Sequence, residues 1–582
     1  MISGTGMAAA SAGAPGWRWR GPRLSAWSTA ALGAILAWLI GVPLALMAIS
    51  SLKPDGMVFD PGIVLDNYQT VIQDDMLAAV LRNTAVFVGA SASIALVAAF
   101  ALAWLTERTD MPCRRAVRAM TILPMAMPPL LLAMAWALLM SPRSGMVNGL
   151  IESLTGLRGV FDIFSMPGMV FVQTLSMIPT AYLILMSVIR NTSGELEEAA
   201  RMCGAGFWKT LFRITLPLLA PGLIATALFL VIAGIATFDI PGTLGMPVGI
   251  FVVSSQIYQY VFLSVTGLPL YGQVGVIGVA LVVLMLPLVY LYQRMTSNSG
   301  RFVTITGKGK GQSRIALGKF RYAALAGASV YFLLSTVLPI GVLLWVSLMP
   351  YQTGISAATL QLLTLDNHRA LLSSTRLHEA VLNTFVSSAG AAVAVVAASV
   401  WLSFLIVRVR PWGYKAMNFA SFMPLALPGV LLGVALTYVY LEVSPNLWFG
   451  SVGILIVAFA TSYLTYGVQS LNSALIQSSR VLEEAAQMSG ATLAMTLRRV
   501  SLPLLTPAMA GVGIWVFAHG LRELTLALML QSDRNLTVSA LLWGYWSNGN
   551  ATGAAAVGVW LTAVMGVLVI IWQFVIDKEG GR

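Results

Sequence analysis

The same sentence of residues is written twice in this chain. Residues 198–217 read EAARMCGAGFWKTLFRITLP and residues 484–503 read EAAQMSGATLAMTLRRVSLP. Both fit Glu-Ala-Ala-x3-Gly-x9-Ile/Val-x-Leu-Pro, 286 positions apart. An alanine-rich chain produces one Glu-Ala-Ala triplet easily. A second copy with the same glycine and the same Leu-Pro at the same offsets is what an internal duplication leaves behind. Other pairs agree. Asp66-Asn67 matches Asp366-Asn367, Asn83-Thr84 matches Asn383-Thr384, and Pro124-x3-Pro128 matches Pro424-x3-Pro428, all 300 positions apart. The change of offset places extra residues in the first half, most simply around 141–167.

Long apolar runs fill both copies. The chain is 582 residues, 58% hydrophobic and only 10% charged, with mean hydropathy +0.83, whereas a soluble protein carries about 25% charge. Each half reads as six spans of about 20 residues or more. In the first these are 26–50, 81–106, 117–140, 168–190, 217–240 and 270–293; in the second, 322–349, 381–407, 416–440, 450–471, 504–530 and 553–576. The fold expected is therefore an all-α polytopic membrane protein of about 12 transmembrane helices, built as two parallel six-helix repeats. Residues 1–25 form a disordered N-terminus, 26–293 the first half, 294–321 a basic linker and 322–582 the second half. The first apolar run is too long for the core of a signal peptide, so it reads as an uncleaved span.

The net charge of +12 raises the question of nucleic acid, which would need a basic soluble domain; no stretch is long enough for one. Topology accounts for the charge instead. Most of the 34 Lys/Arg, but fewer than half of the 22 Asp/Glu, fall on one side, with both Glu-Ala-Ala segments and both termini. By the positive-inside rule that side is cytoplasmic. The linker is a flexible connector held near anionic lipid. The loop 51–80, with five aspartates and Lys53, either meets an external partner or is an ordinary polar loop. Cys113 and Cys203 fall on cytoplasmic loops, where thiols stay reduced, and neither has a neighbour at metal-ligand spacing.

The repeated segment suits a rigid peg seated in a groove of another protein. Glu195, Glu197 and Glu198 lie where a helix dipole favours negative charge, and Thr192 with Glu195 has capping-box spacing. Ala199 and Ala200, like Ala485 and Ala486, allow close approach. Gly204 and Gly490 permit φ > 0 and a turn into a second helix, and Leu216-Pro217 and Leu502-Pro503 end the segment. It resembles the EAA loop of the membrane subunits of bacterial ABC importers. The resemblance implies the type I permease fold, a bacterial inner-membrane location, and docking of Glu198, Ala199, Ala200, Gly204, Glu484, Ala485, Ala486 and Gly490 onto two copies of a cytoplasmic ATPase subunit. It also implies an extracytoplasmic solute-binding protein as partner. No GxxxxGK[S/T] phosphate cradle occurs, so ATP and Mg would be bound by the partner ATPase, and the chain itself is a transport subunit with no cofactor.

Ionisable residues inside spans are expensive and are candidates for the path by default. These are Asp239 in FDIPGTLG and His519, Arg522 and Glu523 in HGLRELTLALML, with Thr237 aligned to Glu523. Adjacent Arg522 and Glu523 point about 100° apart, so each needs its own partner. The runs LTERTDMPCRR, FDIPGTLG and LRELTLALML resemble the fused permeases of ferric-iron importers, related to those for polyamines, thiamine, sulfate and 2-aminoethylphosphonate. No Tyr/His/carboxylate cluster sits at metal-ligand spacing, and His378-Glu379 is a surface feature. Two other classes compete. A secondary transporter would show ion-coupling charges at mid-membrane and no docking pegs. An intramembrane enzyme would need a nucleophile–base or metal constellation, which three histidines and two cysteines do not provide.

Overall fold

The computed structural model describes residues 30–580 apart from 32, 193, 265–266, 299–314, 444–447, 449 and 479–480. Most of the linker and the N-terminal segment expected to be disordered lie outside the described residues. Among the described residues, ten continuous helices are long and apolar enough to cross a membrane. In the first half these are Gly33–Ser50, Asp75–Arg108, Met166–Arg190, Phe207–Ala236 and Tyr271–Thr296. In the second they are Phe320–Ser347, Thr375–Val409, Val452–Gln477, Ala494–Leu521 and Ala551–Ile571. Between the second and third helix of each half lies a bent pair: Arg114–Ala126 with Pro129–Met140 at 94°, and Tyr414–Ala426 with Gly429–Leu441 at 106°.

Each bent pair crosses rather than turning back. Arg118, early in the first pair, bonds to Glu107 at the end of Asp75–Arg108 (2.9 Å). Arg190, at the end of Met166–Arg190, holds the same carboxylate (2.9 Å). The pair ends at Met140, whose carbonyl accepts from Ile163 just before Met166–Arg190 begins. The chain leaves one end of the bundle and reaches the other. The second pair, whose start is tied to Val452–Gln477 by bonds from Asn472 to Asn418 and from Thr465 to Ser421, repeats the arrangement, so each half is read as six passes, numbered 1–12 below. Proline breaks the third pass of each half outright. Two successive prolines, Pro128 and Pro129, withhold two backbone donors at the bend. The inner piece Pro129–Met140 is apolar on every side and almost wholly buried, as a helix without a polar face must be.

Proline acts differently at four other places. Five-residue π-turns, Ala37–Gly41, Leu211–Thr215, Leu333–Val337 and Leu497–Ser501, each stand two residues before a proline (Pro43, Pro217, Pro339, Pro503). A proline ring collides with the carbonyl four residues back, and that carbonyl lies inside each π-turn. Widening the turn, with Leu216 N–H donating to the Leu211 carbonyl and Leu502 to Leu497, relieves the collision without breaking the helix. Leu216-Pro217 and Leu502-Pro503 therefore do not end their segments as expected. Both sit inside passes 5 and 11, which begin at Phe207 and Ala494.

The repeated Asn and Thr pairs are ties to neighbouring backbone. Asn67 Nδ2 donates to the Ser51 and Lys53 carbonyls, and Asn367 Nδ2 to those of Ser347 and Met349. Thr84 Oγ1 accepts from Val253 N–H (3.0 Å) and Thr384 Oγ1 from Val538 N–H (2.9 Å). Small residues face inward along pass 2 (Ser91, Ala95, Ala99, Ala103) and pass 8 (Ala391, Ser399, Ser403). They let passes 4 and 10 approach closely, the usual solution where lipid removes the hydrophobic drive. The extra residues of the first half form a helix, Met146–Thr155, pinned by Asn148 to Ser141 and Phe161.

The halves interlock. Pass 1 packs on the inner piece of pass 9, and pass 7 on the inner piece of pass 3. Ser50 Oγ donates to Tyr438 Oη, which donates to the Tyr271 carbonyl (2.9 and 3.0 Å). Where the linker re-emerges, Ile315 forms a backbone bridge with Thr109, and Leu317 N–H donates to Asp110 Oδ1 (2.8 Å).

Candidate functional site

The two repeated segments fold alike. Helices Glu195–Met202 and Val481–Met488 protrude at the same end of the bundle, joined to passes 4 and 10. Each ends in a left-handed glycine, Gly204 at φ +77° and Gly490 at φ +84°. Ala205 N–H reaches back to the Ala200 carbonyl and Ala491 N–H to Ala486 (both 3.0 Å), the six-to-one bond of a Schellman end. The expected capping box is absent. Gly194 is the N-cap, and Thr192 Oγ1 instead donates to the Val188 carbonyl.

Each helix presents an open face. Leu196 and Met202 are 56% and 83% exposed, and their counterparts Leu482 and Met488 are 52% and 79% exposed. Between them Ala199 and Ala485 are exposed, Ala200 and Ala486 half-buried. Glu484 is exposed and Glu198 half-buried, while the preceding glutamates, Glu197 and Glu483, are buried. Apolar patches of this kind mark interaction surfaces. Cys113 and Cys203 are exposed free thiols.

The path candidates come together at two breaks. Pass 5 stops at Ala236 and resumes as a π-turn at Pro241–Gly245; pass 11 stops at Leu521 and resumes at Thr525–Met529. Arg522 and Glu523 are the charged neighbours of Asp239. Glu523 accepts from Tyr463 Oη (2.6 Å) and Leu526 N–H (3.2 Å). Arg522 donates to the Met125 carbonyl (3.0 Å) and to His519 Nε2 (2.8 Å). His519 Nδ1 lies 2.9 Å from the Trp515 carbonyl, so it carries the ring proton, and Nε2 is the acceptor. Thr237 Oγ1 accepts from Gln173 Nε2 (3.2 Å). Asp239 Oδ1 is buried without a hydrogen-bond partner. Met125 is unforeseen from the sequence. Its carbonyl would bond to residues 128 or 129 in a helix, and both are proline; that double proline was the available signal. A small cavity beside Arg522 and His519 is lined by Ile122, Met125, Trp515 and Met565. Among the described residues no group of three or more His, Cys, Asp or Glu could hold a metal ion.

The family described as "Binding-protein-dependent transport system inner membrane component" matches residues 95–304 and 382–579, once per half. The chain belongs to that family. It is a fused two-half permease of the ABC importer type, a transport component rather than an enzyme. Its similarity to the ferric transport system permease protein FbpB of Actinobacillus pleuropneumoniae is 23% identity over 530 residues, 90% of this chain and 74% of that one. The diacetylchitobiose uptake system permease protein NgcF of Streptomyces coelicolor is 25% identical over 50% of this permease and 88% of its own length. A putative 2-aminoethylphosphonate transport system permease protein, PhnV of Salmonella typhimurium, is 25% identical over 45% and 98%.

Proposed function

We propose that this permease imports ferric iron across the bacterial inner membrane, driven by two cytoplasmic ATPase subunits that seat on its two EAA helices. The observation that carries the reading is the pair of protruding helices with matching exposed faces, each closed by a left-handed glycine. Glu198, Ala199, Ala200 and Gly204 meet one ATPase subunit; Glu484, Ala485, Ala486 and Gly490 meet the other. ATP and Mg belong to those subunits. The basic end and both termini face the cytoplasm, and a solute-binding protein delivers the cargo at the opposite end. Asp239, Thr237, His519, Arg522 and Glu523 line the path, where the broken passes 5 and 11 expose polar backbone to it rather than to lipid. The similarity to ferric permeases over most of the chain favours iron.

The test is ATP hydrolysis by the permease reconstituted with its ATPase and binding protein, comparing Fe(III), 2-aminoethylphosphonate, polyamines, thiamine and sulfate. Stimulation by Fe(III) that disappears in Glu198→Ala/Glu484→Ala supports both parts. Stimulation by another solute refutes the cargo, and undiminished stimulation in the double variant refutes the docking. Solute uptake by the permease alone, with no ATPase, would make it a secondary transporter.

A further inference from the structure

Adjacent residues on a helix point about 100° apart, so the pair Glu197-Glu198 sends one carboxylate toward the open face and the other inward. The inward one, Glu197, is 4% exposed, as is its counterpart Glu483. Each accepts a hydroxyl from the π-turn that opens the next pass: Thr215 Oγ1 to Glu197 Oε1 at 3.1 Å, and Ser501 Oγ to Glu483 Oε1 at 3.0 Å. Glu483 also has a buried arginine beside it, from the end of pass 8. Arg408 Nε lies 2.8 Å from Glu483 Oε2, although its N–H is not aimed at that oxygen. Arg408 Nη2 donates to the Ser478 carbonyl (3.1 Å) and hydroxyl (2.6 Å), closing the end of pass 10. Arg108 occupies the matching place. Its Nη2 donates to the Ile189 and Thr192 carbonyls (3.2 and 2.7 Å), and a Cβ on Gly194, the cap of the EAA helix, would fall 2.9 Å from its Nη1.

The matching pairs Thr192/Ser478, Glu197/Glu483 and Thr215/Ser501 keep the offset 286, and Arg108/Arg408 keeps 300. Each set therefore gathers the ends of two passes, the start of a third and the EAA helix into one knot. Buried ion pairs are poor stabilisers, since desolvating both charges offsets their attraction and an apolar pair of similar volume does as well or better. Stability alone therefore does not account for the Arg408–Glu483 pair, or for the buried carboxylate–hydroxyl contact that both halves keep.

We infer that Glu197 and Glu483 are positioning residues of energy coupling: with Arg108 and Arg408, and Thr215 and Ser501, they fix each EAA helix to the ends of the passes so that movement of the helix is handed to the bundle without slack. This rests on the docking reading above and assigns a role to residues outside the docking face.

The experiment compares wild type, Glu197→Gln/Glu483→Gln and the apolar replacement Arg408→Met/Glu483→Met, each in nanodiscs with the ATPase and the loaded binding protein. Three quantities are read: ATPase subunits retained per permease, basal hydrolysis, and stimulation by the binding protein. The variants are expected to keep both ATPase subunits and basal hydrolysis, while stimulation falls about tenfold, the equivalent of one charge-assisted hydrogen bond. The apolar pair separates the alternatives, because it restores packing without the tie. Wild-type stimulation in that variant overturns the proposal. If it does not fold, Thr215→Val and Ser501→Ala, which alter no charge, decide, and full stimulation in both overturns it. A wild-type permease that retains no ATPase refutes the docking reading instead.

Discussion

Gly490 tests whether the EAA helix is read correctly, because its surroundings isolate one physical cause. Its φ is +84°, and a Cβ built on it meets nothing within 4 Å; Gly204, at φ +77°, is the same. In the permease alone, a substitution there is resisted by backbone strain and not by crowding. For an ordinary L-residue the left-handed conformation costs about 1–2 kcal/mol, while asparagine tolerates it. If the ATPase binds only the native turn, Gly490→Ala weakens binding at that helix by about 5- to 30-fold. Gly490→Asn stays within about twofold of wild type on the same scale. The assay is titration of the ATPase subunit onto nanodisc-embedded permease, with a bulky Ala199→Trp present in the reference and in every variant to block the face of the other helix. Equal weakening by Ala and Asn would mean that the ATPase needs the empty space rather than the turn. No weakening by Ala would mean that the turn is not part of the docking surface.

Arg522→Met leaves the Met125 carbonyl without its donor and Asp239 and Glu523 without their cation; a loss of about 3–5 kcal/mol is expected, read as faster thermal inactivation in nanodiscs, and an unchanged rate would refute the bridging role. Cys113 and Cys203 are free and exposed, so a membrane-impermeant maleimide should label both in inside-out vesicles stripped of the ATPase and neither in intact cells; the reverse pattern would invert the orientation. Tyr260 Oη donates to Asp74 Oδ2 (2.8 Å), and burial, followed by that bond and the aspartate charge, pushes the phenol up to about 12. Since the folded value is raised, this contribution to stability is complete below the ordinary value of 10.0 and is lost as pH rises through about 12. Tyr260→Phe should flatten the stability profile in that window.

The repeat, the passes and the EAA helices were legible because duplication preserved residue types at fixed offsets. What escaped notice depends on which way a side chain points. Glu195, Glu197 and Glu198 look alike in sequence, as three acids at the start of a helix, yet Glu197 is buried. Its hydroxyl partner is 18 residues away and would have shown only as a second match at offset 286. Thr192 has the spacing of a capping box, but its hydroxyl follows the local i−4 carbonyl, the common alternative for threonine at a helix end. The prolines carried two opposite meanings. A proline two residues past an apolar turn was absorbed by a π-turn, while Pro128-Pro129 broke pass 3 and Pro428, followed by a glycine, broke pass 9.

The charges at the two breaks bear on why a permease would be one chain at all. Alanine, threonine and aspartate at 236, 237 and 239 stand where arginine, glutamate and threonine stand at 522, 523 and 525. In a permease assembled from two identical copies, a charge beside the twofold axis always faces its own image. Arginine would confront arginine, and aspartate would confront aspartate. Fusion removes that restriction. Once each half is inherited with its own fixed companion, the two can diverge, and a cation grown on one can stand against an anion grown on the other. The bundle keeps its twofold architecture while its interior becomes electrically handed.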